Sequence, residues 1–139
     1  MKFSICIGKS KHEKNWKNIE ITWEEFTNKL IKTVRTYETL EEYLLFIKEK
    51  QGEIKDVGGF ISGHSINGRR LKDSILSKSM ITLDIDNADE GFWDLCNLSF
   101  DFKMCLYTTH SHTVKNNRFR LIIPLSRELL KDEYEAVCR

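Results

Sequence analysis

The chain has 139 residues, of which 40 % are hydrophobic and 31 % are charged, and its 22 basic residues nearly balance its 21 acidic ones. This composition is typical of one globular domain and excludes a disordered chain. The balanced charge excludes a protein that coats nucleic acid by bulk charge, and no apolar run reaches the roughly 20 residues that span a bilayer. We therefore expect a single cytoplasmic domain without a membrane partner.

The N-terminal portion, which we take as residues 1–52, begins with a predicted strand. Apolar residues alternate with smaller or polar ones over 2–7, and the polar stretch over 9–17 predicts a loop. Two capping boxes, Thr22 with Glu25 and Thr39 with Glu42, start two predicted helices. These helices cover about 23–34 and 40–50.

Glycines between Gly52 and Gly68 mark the seam to the second portion, residues 53–139. The Gly58-Gly59 pair can let the backbone approach a ligand closely, but a plain turn is the favoured interpretation. The four cysteines lie far apart without a Cys-x-x-Cys pair, so we expect neither a zinc ribbon nor a disulfide framework.

The second portion predicts the order β-α-β-β-α. The predicted strands cover 79–86, 103–109 and 118–125, with the last ending near Pro124, and the predicted helices cover 90–98 and the stretch from Lys131 onward. This order predicts an α+β fold with a mixed or antiparallel sheet and helices on one face.

Asp84 and Asp86 are the sharpest chemical feature. They stand two residues apart at the end of an apolar strand, so both carboxylates project from one face. Mg²⁺ prefers carboxylates together with water and substrate phosphates, and paired cations clamp the reacting oxygens in phosphoryl transfer. The alternative is a pair of solvated side chains at a strand end.

Polar and basic residues follow the acidic pair. If the second strand of this portion continues, Thr108, His110 and His112 share one face, where a histidine can bind phosphate, ligate metal or transfer a proton; ordinary surface histidines at a hairpin end are the alternative. Arg118 and Arg120 also share one strand face, which suits a triphosphate or a nucleic-acid backbone. The alternative is a salt-bridged sheet face that pairs with the acidic residues themselves.

Together these segments resemble the archaeo-eukaryotic primase, or primase-polymerase, superfamily, and in particular the N-terminal primase-like domains of phage replication proteins of the virulence-associated protein E type. The resemblance rests on the order and spacing of five segments. They are IKDVGGF (54–60), GRR (68–70), SMITLDID (79–86), YTTHSHT (107–113) and RFRLIIPLSR (118–127), and the region 5–23 is also similar, so the likeness covers nearly the whole chain.

The resemblance implies an RNA-recognition-type catalytic module in which Asp84 and Asp86 bind Mg²⁺ or Mn²⁺ and are catalytic. It further implies phosphate-binding residues, nucleic-acid-binding residues, a DNA template, nucleoside triphosphates and a helicase domain in a longer parent protein. The family's Ser-x-His motif matches either Thr108-Thr109-His110 or Arg118-Phe119-Arg120. We assign nucleotide or phosphate binding to Thr108, His110, His112, Arg118 and Arg120, and nucleic-acid binding to Lys55, Arg69, Arg70 and Arg127.

One departure from the family pattern affects the expected activity. The family has a third motif, an acidic residue on a downstream strand, whereas Glu128, Asp132, Glu133 and Glu135 lie on or near a predicted helix. We therefore expect an incomplete active site in a phage or prophage protein of the bacterial cytoplasm, and whether the chain is an enzyme stays open. The alternative function is a non-catalytic module that binds nucleotide, DNA or protein as a decoy or inhibitor.

Overall fold

Two small antiparallel sheets form the frame of the computed structural model, which describes residues 1–138. The strands are β1 (Lys2–Gly8), β2 (Lys17–Thr22), β3 (Gly59–Ile61), β4 (Ser77–Asp86), β5 (Cys105–Thr108) and β6 (Arg118–Leu130). The helices are α1 (Trp23–Ile31), α2 (Leu40–Leu45), α3 (Lys48–Ile54), α4 (Phe92–Ser99) and α5 (Lys131–Val137), with short 3-10 turns at Ile66–Gly68 and Lys72–Ser74. The sheet orders are β2-β1-β3 and β4-β6-β5, so the predicted α+β class is confirmed.

In the first half of the chain, the structure agrees with the prediction where the local sequence pattern is strong and differs from it where the pattern is weak. Both capping boxes form and begin α1 and α2. The predicted helix over 40–50 is interrupted, because Phe46 and Ile47 adopt extended backbone between α2 and α3. Strand β2 was not predicted. It is a short edge strand with a polar sequence, and it forms because it pairs with β1, which the local sequence does not indicate.

The second half has the predicted order, β4-α4-β5-β6-α5. Strands β4 and β5 both run antiparallel to the central β6 and are connected through α4, which is a split β-α-β arrangement. The prediction that the last strand ends near Pro124 was wrong, because β6 continues to Leu130. Pro124 lies opposite Met80, beside a shift of register in β4, where a missing backbone donor is tolerated.

One core joins the two sheets. It consists of residues from β1, β2, α1, β4 and β6, namely Phe3, Ile5, Ile21, Phe26, Met80 and Ile122. Ser79 ties the sheets together, because its hydroxyl donates to the Ser4 carbonyl at 2.6 Å and its backbone N–H donates to Ser62 at 3.2 Å. Met80 and Ile122 enter this core from one face of β4 and β6. Toward the end of β4 and the start of β6, the same face carries charged residues instead of apolar ones.

Candidate functional site

Asp84 and Asp86 project from one face of β4, and the register of the sheet places arginines directly opposite them. Asp84 pairs with Arg120 and Asp86 pairs with Arg118. Arg120 Nε lies 2.6 Å from Asp84 Oδ1, and Arg118 Nε lies 3.6 Å from Asp86 Oδ1. The structure therefore contains the ion-paired sheet face that was the alternative interpretation of the arginines.

Tyr107 of β5 joins this face because it lies opposite Arg120 on the other side of β6. Arg120 Nη1 donates to the Tyr107 hydroxyl at 3.4 Å. Burial raises the pKa of the Tyr107 phenol, although the nearby guanidinium offsets part of this rise. The hydroxyl therefore stays protonated at neutral pH, and we call Asp84, Asp86, Arg118, Arg120 and Tyr107 the charged patch.

Exposure within the charged patch is unequal. The aspartate side chains are 65 % and 60 % exposed, whereas the arginine side chains opposite them are only 36 % and 37 % exposed. The sheet thus holds the guanidinium groups in place and leaves the carboxylates accessible. Exposed ion pairs of this kind contribute about 1 kcal/mol or less, so an anion and a cation can replace them at small cost.

The histidines do not share a strand face with Thr108, so that expectation was wrong. Strand β5 ends at Thr108, which lies opposite Phe119 and thus on the other face of the sheet from Arg120. His112 Nδ1 accepts a hydrogen bond from the Arg118 backbone N–H at 3.1 Å, and its ring packs against Phe119. His112 therefore anchors the start of β6.

His110 belongs to a separate contact with the first half of the chain. Its ring lies 4.5 Å from the ring of Tyr43 in α2, and its Nε2 lies 3.3 Å from the Thr36 hydroxyl. Its Nδ1 is buried, without a hydrogen-bond partner among residues 1–138. Sequence reasoning missed Thr36 and Tyr43, because nothing in their local pattern indicates a partner more than 60 residues away.

The four residues assigned to nucleic-acid binding do not form one group. Lys55 is exposed at the end of α3, and Arg69 and Arg70 follow the first 3-10 turn, where Arg70 lies over the Trp16 ring. Arg127 lies near the far end of β6, where its guanidinium binds both carboxylate oxygens of Glu133, at 3.0 and 2.7 Å. Arg127 is thus committed to joining β6 to α5.

The Arg127–Glu133 pair predicts a measurable titration. The hydrogen bonds from Arg127 and from the Leu130 backbone lower the pKa of Glu133 to about 2. Because the folded pKa lies below the ordinary value of 4.5, the pair stabilises the fold above that value, and this contribution is lost as the pH falls toward 2. We expect carbon-detected NMR to show a Glu133 midpoint near 2 that rises in Arg127→Ala and stays low in Lys131→Gln. A wild-type midpoint near 4.5 would contradict the pairing.

The chain matches a known protein family over its whole length. The family model described as "VapE N-terminal domain" matches residues 1–139. The chain belongs to the VapE N-terminal domain family. No curated protein and no solved structure matches it.

The predicted relation to virulence-associated protein E is therefore confirmed, and the wider relation to primase-polymerases stays a prediction. Membership of the VapE N-terminal domain family supports the expected setting, a module of a phage or mobile-element replication protein. Across residues 1–138, no helix is both long and apolar enough to cross a membrane.

The acidic pair of this VapE N-terminal domain fits a hard divalent cation. Both donors are exposed carboxylates, the ligand type that Mg²⁺ and Mn²⁺ prefer. In the described part of the chain, no group of three or more His, Cys, Asp or Glu side chains is arranged to hold a metal ion. If such a cation bound here, Asp84 and Asp86 would supply two ligands, and water and substrate oxygens would have to supply the others.

Proposed function

We propose that this VapE N-terminal domain is a primase-polymerase-type module that binds a nucleoside triphosphate at the charged patch, for nucleotidyl transfer in primer synthesis. One observation carries the proposal. Two accessible carboxylates and two arginines face the same way from neighbouring strands, in direct register. This arrangement offers positive groups to phosphates and negative groups to a cation within one small surface.

The residues of the patch have separate roles in this proposal. Arg118 and Arg120 exchange their aspartate partners for phosphate oxygens, which guanidinium groups bind in a bidentate manner. Tyr107 positions Arg120 through their hydrogen bond. Asp84 and Asp86, released from the arginines, hold Mg²⁺ or Mn²⁺, which when bound neutralises phosphate charge and favours attack by a hydroxyl.

The transfer itself joins a 3′-hydroxyl oxygen to the α-phosphorus and releases pyrophosphate, while the hydroxyl proton passes to solvent. It needs the third acidic ligand that the primase resemblance implies. Because residues 1–138 bring no third ligand to Asp84 and Asp86, nucleotide binding is the part of the function that these residues can perform by themselves.

Isothermal titration with a nucleoside triphosphate, with and without Mg²⁺, tests the proposal. We expect Mg²⁺-dependent binding that weakens on the order of tenfold or more in Asp84→Asn/Asp86→Asn, because a hydrogen bond or ligand to a charged group is worth about 1.5–3 kcal/mol. The matched control is Asp94→Asn/Asp101→Asn, which removes the same charge from exposed positions on and after α4. Unchanged affinity in the first variant would refute the assignment of the patch.

A second function, a non-catalytic binding module, is favoured by the observation that the charges of the patch neutralise one another. Each aspartate already has an arginine partner, and such pairs can persist without a cation. A primer-extension assay separates the two functions. Nucleotide binding without extension supports the binding module, and metal-dependent extension that Asp84→Asn/Asp86→Asn abolishes supports the transferase.

A further inference from the structure

A second concentration of positive charge lies on elements that the charged patch does not use. The loop between β1 and β2, which we call the lysine loop, carries three lysines, and a fourth, Lys17, begins β2. The segment after the first 3-10 turn, which we call the arginine segment, carries two arginines, and all six side chains are exposed. We call these residues the basic ridge: Lys9, Lys11, Lys14, Lys17, Arg69 and Arg70. More than 50 residues of sequence separate its two parts, so only folding brings them together.

Trp16 joins the two parts of the basic ridge. Its backbone N–H donates to the Gly68 carbonyl at 2.7 Å, and its indole N–H donates to the Ser10 carbonyl at 3.1 Å. The Arg70 guanidinium lies over its ring, with 5.5 Å between Cζ and the ring centroid. Gly68 has a φ of +62°, and a Cβ there would lie 1.9 Å from the Trp16 carbonyl oxygen. Only glycine permits this approach.

A second link attaches the arginine segment to strand β2. The side chain of Asn18 accepts from the Ser65 N–H at 3.0 Å and donates to the Ser65 carbonyl at 2.7 Å. The Ser65 hydroxyl in turn donates to the Arg69 carbonyl at 2.6 Å. Arg69 thus has a fixed backbone next to the β2 strand that begins with Lys17.

The acidic residues near the basic ridge hold the backbone of the lysine loop. Asp56 accepts from the Ser10 hydroxyl at 2.5 Å and from the Lys11 N–H at 2.8 Å, and Glu13 accepts from the Lys9 N–H at 2.7 Å. Gly58 has a φ of +94°, and a Cβ there would lie 2.7 Å from the Gly8 carbonyl oxygen. Gly58 therefore serves a close approach of the chain to itself, whereas a Cβ on Gly59 would make only an ordinary contact, 3.8 Å from the Trp16 ring.

The cations of the basic ridge are not neutralised by acidic partners, although the Lys11 ammonium group donates to the Gly52 carbonyl at 3.2 Å. Among residues 1–138, no carboxylate lies within salt-bridge distance of any of its six cations. In contrast, Arg118, Arg120 and Arg127 all have acidic partners. Keeping six like charges together on two adjoining segments costs repulsion, and a polyanionic partner removes that cost.

We propose that the basic ridge binds the phosphate backbone of a DNA strand. Exposed lysines and arginines on a fixed backbone suit a regular series of phosphates, and such contacts carry no sequence preference. Trp16, the aromatic residue of the loop, is 6 % exposed, so it is not available to stack on bases or insert into lipid. Because the proposed function needs a template, this inference extends it, but binding at the basic ridge is independent of the charged patch.

Fluorescence anisotropy with a labelled DNA oligonucleotide over a range of salt concentrations tests the inference. We expect Lys9→Gln/Lys14→Gln/Lys17→Gln/Arg69→Gln to bind on the order of tenfold more weakly at low salt, with a shallower salt dependence, since fewer counterions are released. Arg70 is left in place because it packs on Trp16. The control, Lys29→Gln/Lys32→Gln/Lys48→Gln/Lys103→Gln, makes the same charge change at other exposed lysines and should bind as the wild type does.

Equal loss in the two variants would overturn the inference, because net charge would then explain the binding. Binding of the wild type to phosphatidylserine vesicles but not to DNA would overturn it in favour of a membrane surface. The basic ridge variant should keep Mg²⁺-dependent nucleotide binding, and Asp84→Asn/Asp86→Asn should keep DNA binding. Failure of the nucleotide experiment alone would therefore refute the proposed function without affecting the inference that the basic ridge binds DNA.

Discussion

Replacing Gly63 by alanine is expected to unfold the protein or to lower its free energy of unfolding by more than about 3 kcal/mol. Gly63 is buried with a φ of +145°, and a Cβ there would lie 1.8 Å from the Ser77 carbonyl oxygen and 2.6 Å from its carbonyl carbon. Both atoms are backbone at the start of β4, where the two sheets meet, so relief requires moving one sheet against the other. Urea denaturation followed by circular dichroism measures the loss.

Gly91→Ala is the matched control for Gly63→Ala. Gly91 precedes α4, and a Cβ built there meets no atom within 4 Å. Its backbone has a negative φ of −83°, which alanine adopts readily, so we expect a change within roughly 1 kcal/mol. Similar denaturation midpoints for the two variants would show that the close approach of Gly63 to Ser77 does not constrain the fold.

Replacing Trp16 by alanine is expected to have the second-largest effect, a loss of about 3–5 kcal/mol. The indole is 6 % exposed and fills the space that Gly8 leaves free, since a Cβ on Gly8 would lie 2.2 Å from its ring. The substitution also releases Ser10 and Arg70 from their contacts with the ring. DNA affinity should therefore fall although no cation has been removed.

Two further variants test whether the expected effects are specific to the loss of the Trp16 ring. Trp93→Ala removes an indole that is 37 % exposed on α4, and we expect it to cost about 1 kcal/mol or less and to leave DNA affinity unchanged. Trp16→Phe retains a ring under Arg70 and should preserve most of the stability and of the DNA affinity. Wild-type DNA affinity in a folded Trp16→Ala protein would contradict the role of Trp16 in organising the basic ridge.

Local signals in the sequence were sufficient for several elements. Thr22 and Thr39 begin helices because a capping box satisfies backbone donors within one turn, without help from the rest of the fold. The alternation around Asp84 and Asp86 placed both carboxylates on one face because side chains in a strand alternate with a period of two. The prediction that the last strand ends near Pro124 was wrong, because a proline interrupts a strand only where the partner strand needs the backbone N–H that proline lacks.

The sequence by itself therefore determined which residues are charged, which face of its strand each one occupies and where the first helices begin. Only the tertiary structure decided their partners. Strand alternation does not specify register, so it could not place Arg120 between Asp84 and Tyr107. Nor could it bring the lysine loop to Arg69 and Arg70, because that contact depends on Trp16 docking against a distant glycine. Period and capping are local properties, whereas register and loop docking depend on the packing of the whole chain.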